Sequence, residues 1–300
     1  DAEQYPSINH SLPLNYIITD VTVDQIETID TANDKQKGDG KKSQVLLDEA
    51  HYSETELIKA LNKENITLIK QIVRNQPNLL KQIDSDGFNT MTRAASEGKV
   101  EVIKAIGQIS IDLLKERDKW EWNAMTQVAS SGNVEVVKAI VEINPDLLKE
   151  QDGGGVNAMT KAAIAGNVEV IKAISEINPD LLKEQDEDGW NAMTKAAYEG
   201  QVDVIKAIYE LDSELLKEQD IGGWNAMTKA AYEGQVDMIK VIYDLDSELL
   251  KEQDRTGWNV MTMAAYRGQV DMIKAIYELD SELLKEQDGN GWNAMTIAAD

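Results

Sequence analysis

The sequence predicts an all-α solenoid of stacked helix-turn-helix repeats with the turn tips along one edge. Three observations carry that expectation. Asn89, Asn123, Asn157, Asn191, Asn225, Asn259 and Asn293 are each 34 positions from the next, and a fixed period of this size marks stacked units rather than one globule. Around each asparagine sits a version of Gly-Trp-Asn-Ala-Met-Thr-x-Ala-Ala-x-x-Gly, a short helix with a start signal and a stop signal. Beyond the stop, apolar residues recur at helical spacing.

Residues 186–219 show the elements in order. Asp186-Glu-Asp-Gly189 is a turn sequence, with glycine supplying positive φ. Asn191 stands at a helix N-cap, where its side chain takes the free amides two or three residues on. A short first helix follows, from Ala192 to Glu199, and Gly200 ends it as a left-handed C-cap. A second helix runs from Val202 to about Leu211, with Val202, Ile205, Ile208 and Leu211 as its buried stripe. Asp212 to Gln219 then forms a short helical turn. Two other units begin this turn with Asn144-Pro145-Asp146 and Asn178-Pro179-Asp180, a cap followed by proline at the first helical position. Leu215 and Leu216 are expected to seal the space between neighbouring units.

The array spans residues 53–300. Its first repeat, 53–86, is divergent and has Glu64 where later units carry the mid-repeat glycine, as a terminal cap does. Six full repeats follow, and residues 289–300 are a partial last one. The chain stops at Asp300 halfway through a unit, so continuation of the natural protein, or self-association through that end, is expected there. Residues 1–52 differ in kind. Tyr16 to Val23 is rich in β-branched residues and reads as a strand, and Thr31 to Ser43 reads as a disordered linker. Within it, Gly38-Asp-Gly-Lys41-Lys-Ser43 lacks the glycine spacing and the strand-to-helix setting of a phosphate loop.

Thirty basic and 54 acidic residues give a net charge of −24, which argues against nucleic acid as a partner and favours a basic one. There is no cysteine, so disulfides, thiol catalysis and cysteine zinc sites are excluded. No apolar run is long enough to insert into a membrane. Acidic residues recur with surface spacing and form no catalytic constellation and no calcium-loop pattern. No enzyme activity, metal site or cofactor is expected. The compartment, cytoplasmic or secreted, is not written in the sequence.

The unit resembles the ankyrin repeat. That family's pattern is Asp-x-x-Gly-x-Thr-Pro-Leu-His-x-Ala-Ala-x-x-Gly-His. This chain has Asp186-x-x-Gly189-x-Asn191-Ala192-Met193-Thr194-x-Ala196-Ala197-x-x-Gly200-Gln201. Three departures stand out. The period is 34 rather than 33, the cap is asparagine without the following proline, and threonine replaces histidine, whose hydrogen bonds must be remade. Tetratricopeptide repeats share the 34-residue period but need a longer first helix than one stopped at Gly200.

The resemblance implies a curved stack whose turn tips and first helices line a groove that binds a protein partner. Three sets of residues map there. The residue before each repeated asparagine is Phe88, Trp122, Val156, Trp190, Trp224, Trp258 and Trp292, an aromatic series of interface anchors or of packing between turns. Tyr198, Tyr232 and Tyr266 precede the glycine that ends the first helix and extend the aromatic floor. The turn tips change from unit to unit, with Trp120, Ile221 and Arg255 the least turn-like. Tyr209, Tyr243 and Tyr277 on the second helix are expected to pack between units. The resulting expectation is a protein-binding module with an acidic, aromatic-lined groove. The alternatives are a targeting arm of a larger effector or toxin, its catalytic domain outside this chain, and a structural spacer.

Overall fold

The computed structural model describes residues 51–299. The strand expected at 16–23 and the linker at 31–43 lie outside the described residues, and so does Asp300. Within 51–299 every regular element is helical. A typical unit carries a first helix (Ala192–Tyr198), a second helix (Val202–Leu211) and a 3₁₀ turn (Ser213–Leu216), which is a short α-helix, Asp112–Lys115, in one unit.

Local chemistry fixes these boundaries. Asn191 Oδ1 accepts the Thr194 N–H at 3.0 Å, and Thr194 Oγ1 accepts the Asn191 N–H at 2.9 Å. This reciprocal cap satisfies two amides that a helix start leaves free. The Thr194 hydroxyl also donates to Asn191 O at 3.0 Å, so threonine remakes local bonds where the family's histidine stood. Asn191 Nδ2 donates to Glu218 Oε2 at 3.0 Å, which ties the helix start to the end of its own unit, just before the next turn. The bond recurs from Asn157 to Glu184, Asn225 to Glu252 and Asn259 to Glu286.

Gly200 lies at φ +75°. Gln201, one residue later, reaches back to the preceding unit, where its Nε2 donates to Ile164 O at 3.0 Å. In the first repeat, Glu64 takes the same left-handed place at φ +49°, although it is not glycine. The array's first helix, Glu54–Asn62, starts with Ser53 as its cap.

The core is one continuous seam. Met193, Ala196, Ala197, Ile205, Ile208, Leu215 and Leu216 are fully buried, and burying a leucine or isoleucine contributes about 1.5–3 kcal/mol. The paired alanines let first helices of neighbouring units lie against one another more extensively than the second helices do.

Candidate binding groove

One aspartate shapes each turn. Asp186 Oδ1 accepts the N–H groups of Asp188 at 3.0 Å and Trp190 at 2.9 Å. The backbone closes the loop, with Asp186 N–H on Trp190 O at 3.0 Å and Gly189 N–H on Asp186 O at 2.9 Å. Gly189 sits at φ +79°, and a Cβ there would lie 3.0 Å from Ile221 N in the next turn. Glycine thus meets two needs, a left-handed backbone and room for the turn stacked on it. Trp120 stacks on Gly87 in the same way and meets the Phe88 ring edge-on, with centroids 5.3 Å apart. Arg255 packs on Gly223. Glu121 stands in this glycine column at φ +63°.

The second carboxylate oxygen of the turn aspartate holds a cation. Lys161, Lys195 and Lys229 sit nine residues after Asp152, Asp186 and Asp220. Their ammonium groups pair with those carboxylates, at 2.9 Å for Lys161 and 2.8 Å for Lys195. The same ammonium groups lie on indole faces. Lys161 is 4.0 Å from the Trp122 ring, and Lys229 is 3.5 Å from Trp190 and 4.7 Å from Trp224. Burial pushes Lys161 and Lys229 below the usual lysine range, opposed by the aspartates. Arg93 and Asp84 make the corresponding pair in an earlier unit, over Phe88.

Where the lysine is missing, the indole takes over. Met263 replaces it in one unit, and the Trp224 Nε1–H donates to Asp254 Oδ2 at 3.0 Å. Ile297 replaces it in the next, and the Trp258 Nε1–H donates to Asp288 Oδ2 at 3.0 Å. In the Asn123 unit both substitutes fail, because Gln127 stands in the lysine column and the preceding ring is Phe88, which has no N–H. Asp118 is only 4% exposed, and neither its Oδ2 nor Gln127 Oε1 has a hydrogen-bond partner. The nearby Thr92 hydroxyl donates to Asn89 O at 3.3 Å. Burial pushes the Asp118 carboxyl up.

The tyrosines lie against the tryptophans. Trp190–Tyr198, Trp224–Tyr232 and Trp258–Tyr266 each have ring centroids 5.0 Å apart. Tyr198 and Tyr232 are half-buried, and Tyr266 is 62% exposed. Glutamates border them. Glu199 is pushed up by burial, with Lys195 pulling it down and Glu233 repelling it. Tyr198 lies beside Glu233 and is pushed up by burial and by that charge. One unit on, arginine fills the matching position. The Arg267 guanidinium lies 4.2 Å over the Tyr232 ring, its Nε–H donates to Tyr232 O at 3.2 Å, and Glu233 is 3.9 Å away.

The expected residues thus fall into distinct settings. Trp122, Trp190 and Trp224 are half-buried against lysines, Trp258 is half-buried against Asp288 and Tyr266, Val156 is buried in their column, and Trp292 is exposed. The tyrosine series joins the tryptophans along one surface. Trp120, Ile221 and Arg255 are exposed and also pack on the preceding turn. The lysine column was not singled out from the sequence, although its signal was present as an aspartate followed nine residues later by lysine. Among the described residues no cluster of side chains could hold a metal ion, and no helix is long and apolar enough to cross a membrane.

Residues 177–252 match the family model for ankyrin repeats in three copies. Among solved structures, the ankyrin repeat domain of Bcl-3, described as a unique member of the IkappaB protein family, is similar at a TM-score of 0.58 and 13% identity. The match covers 71% of this chain and 94% of that one. No curated protein sequence matches the chain. Residues 177–252 are therefore ankyrin repeats, and the array that shares their period and geometry is an ankyrin repeat solenoid.

Proposed function

We propose that the first-helix face of the array binds a protein segment carrying arginine or lysine. Ankyrin repeats are in general protein–protein interaction modules. The observation that supports a basic partner is Arg267, which rests on the Tyr232 ring beside Glu233. At the same register one unit earlier stand Tyr198, Glu199 and Glu233, with glutamate in place of that arginine. A partner's guanidinium would complete the cluster by stacking on Tyr198 and relieving the repulsion between the two carboxylates. The tyrosine edges and glutamates offer contact, while the indoles beneath are already engaged by the chain's own lysines and aspartates. A preformed surface of this kind lowers the ordering cost of binding.

The test is calorimetric titration with a capped arginine-rich peptide at several salt concentrations. Affinity is expected to fall steeply with salt and to drop in Tyr198→Ala and Glu233→Gln. Binding that ignores both salt and these substitutions would sink the reading.

A further inference from the structure

The second helices carry a column of their own, at the third residue from the end in all but one of them. It reads Val73, Gly107, Val141, Ser175, Tyr209, Tyr243 and Tyr277. At Tyr209 and Tyr243 the leucine 36 residues on, Leu245 or Leu279, is half-buried, whereas Tyr277, expected to pack between units, is 51% exposed. Tyr209 and Tyr243 pack against the core, and so do Leu245 and Leu279. The Tyr209 hydroxyl donates to Leu245 O at 3.3 Å. Tyr209 thus spans the seam between two units, with its ring packed on the core and its hydroxyl on a helix-end carbonyl.

At Ser175 that ring is missing. Leu211, the leucine 36 residues on, is 46% exposed. A cleft of about 310 Å³ opens there, with Ser175, Leu182, Pro179 and Leu211 among its lining residues. The carbonyl of Leu211 corresponds to the one that Tyr209 satisfies in the next unit. The Leu215 N–H, which a continuing helix would bring to it, goes to Asp212 O instead. The Ser175 hydroxyl is buried without a hydrogen-bond partner. Gly107 is a different case, because a Cβ there would lie 2.7 Å from Ile143 Cδ1, and the cleft of about 610 Å³ beside it is lined by that isoleucine rather than by an exposed leucine.

We propose that the Ser175 cleft binds the phenol ring of a tyrosine on a partner protein. Tyr209 is the template, since the same fold one unit later shows which ring fits, which apolar side chain it covers and which carbonyl its hydroxyl reaches. The ring covers Leu211 and Leu182, and the phenol O–H donates to Leu211 O. Glu176, Asp180 and Asp212 border the cleft, with Lys183 paired to Asp212 at 2.8 Å. That border favours basic residues flanking the tyrosine and repels a phosphorylated one.

The test follows leucine methyl resonances of the full chain during titration with p-cresol. Ring-current shifts are expected at Leu211 and Leu182. Toluene, which lacks the hydroxyl, is expected to bind several-fold more weakly, about the worth of one hydrogen bond. Ser175→Tyr supplies the ring internally and should abolish the shifts, whereas Ser175→Ala keeps the cleft and should retain them. A capped Lys-Tyr-Lys peptide should compete with p-cresol and bind more tightly, and its phosphotyrosine form should not compete. The proposal is overturned by absence of shifts at Leu211, by their persistence in folded Ser175→Tyr, by equal affinity for toluene, or by equal competition from the phosphorylated peptide.

Discussion

Replacing Lys229 by methionine tests the cation column, because the chain already contains the expected product. Lys229 is buried against Asp220 and between the Trp190 and Trp224 rings. Removing one member of a buried ion pair costs about 3–5 kcal/mol, since the remaining charge is left unpaired. The Met263 unit shows the rescue, in which the preceding indole N–H turns to the aspartate at 3.0 Å. A hydrogen bond to a charged group contributes about 1.5–3 kcal/mol. Lys229→Met should therefore cost only about 1–3 kcal/mol, with the Trp190 Nε1–H moving onto Asp220. Adding Trp190→Phe removes the donor and reproduces the arrangement of Phe88, Gln127 and Asp118. The double variant should lose about 1.5–3 kcal/mol more than the sum of the single losses. Urea unfolding followed by circular dichroism at 222 nm reads this cycle, provided the slope with denaturant is unchanged. Additivity within about 0.5 kcal/mol would mean the two side chains do not compensate for each other, and the rescue would be refuted.

Glu121→Gly should stabilise the array by about 0.5–1 kcal/mol, because relief of the left-handed backbone outweighs the added freedom of the unfolded chain; a lower denaturation midpoint would contradict it. Asp118 has a raised folded pKa, so the native state binds more protons than the unfolded one between the two values, and stability falls as pH rises from about 4, the unfolded aspartate value, through the raised one. Asp118→Asn keeps the turn acceptor and should abolish that fall in midpoint, leaving the variant more stable than the parent at neutral pH. Asn225→Ala removes the bond to Thr228 N–H and the link to Glu252, and thermal unfolding should show a loss of about 1–2 kcal/mol.

Backbone architecture was legible because it is set by local rules repeated in register. The asparagine caps, the left-handed glycines and the stripe through Ile205 and Ile208 each act within one unit, so spacing locates them, although Val202 and Leu211, expected in the same stripe, are half-buried and exposed because they lie at the helix ends. The tyrosine–tryptophan pairs were also within reach, since Trp190 and Tyr198 sit on one short helix and its cap. What escaped the sequence depends on neighbours 30 or more residues away. The lysines look like solvated charges in the sequence, yet stacking places Lys229 between indoles of two units. Glu121 looks like an ordinary turn tip until its φ is known. The cleft at Ser175 becomes visible only when Tyr209 shows what the same register holds elsewhere.

Under the proposed function, variation among units divides stability from recognition along the same surface. Lysine, indole and aspartate form a redundant set in which either cation or N–H can satisfy the carboxylate, so the tryptophan column tolerates Met263 or Ile297 without leaving a buried charge alone. The tyrosines and glutamates above it have no such redundancy. Tyr232 is covered by Arg267, Tyr198 is not, and Tyr266 stands most open. Substitution of a tryptophan therefore reports mainly on folding, and substitution of Tyr198 or Glu233 reports mainly on binding. If Trp190→Phe destroyed peptide affinity while leaving the unfolding midpoint in place, the division would be the reverse, and the indole edge itself would be the contact.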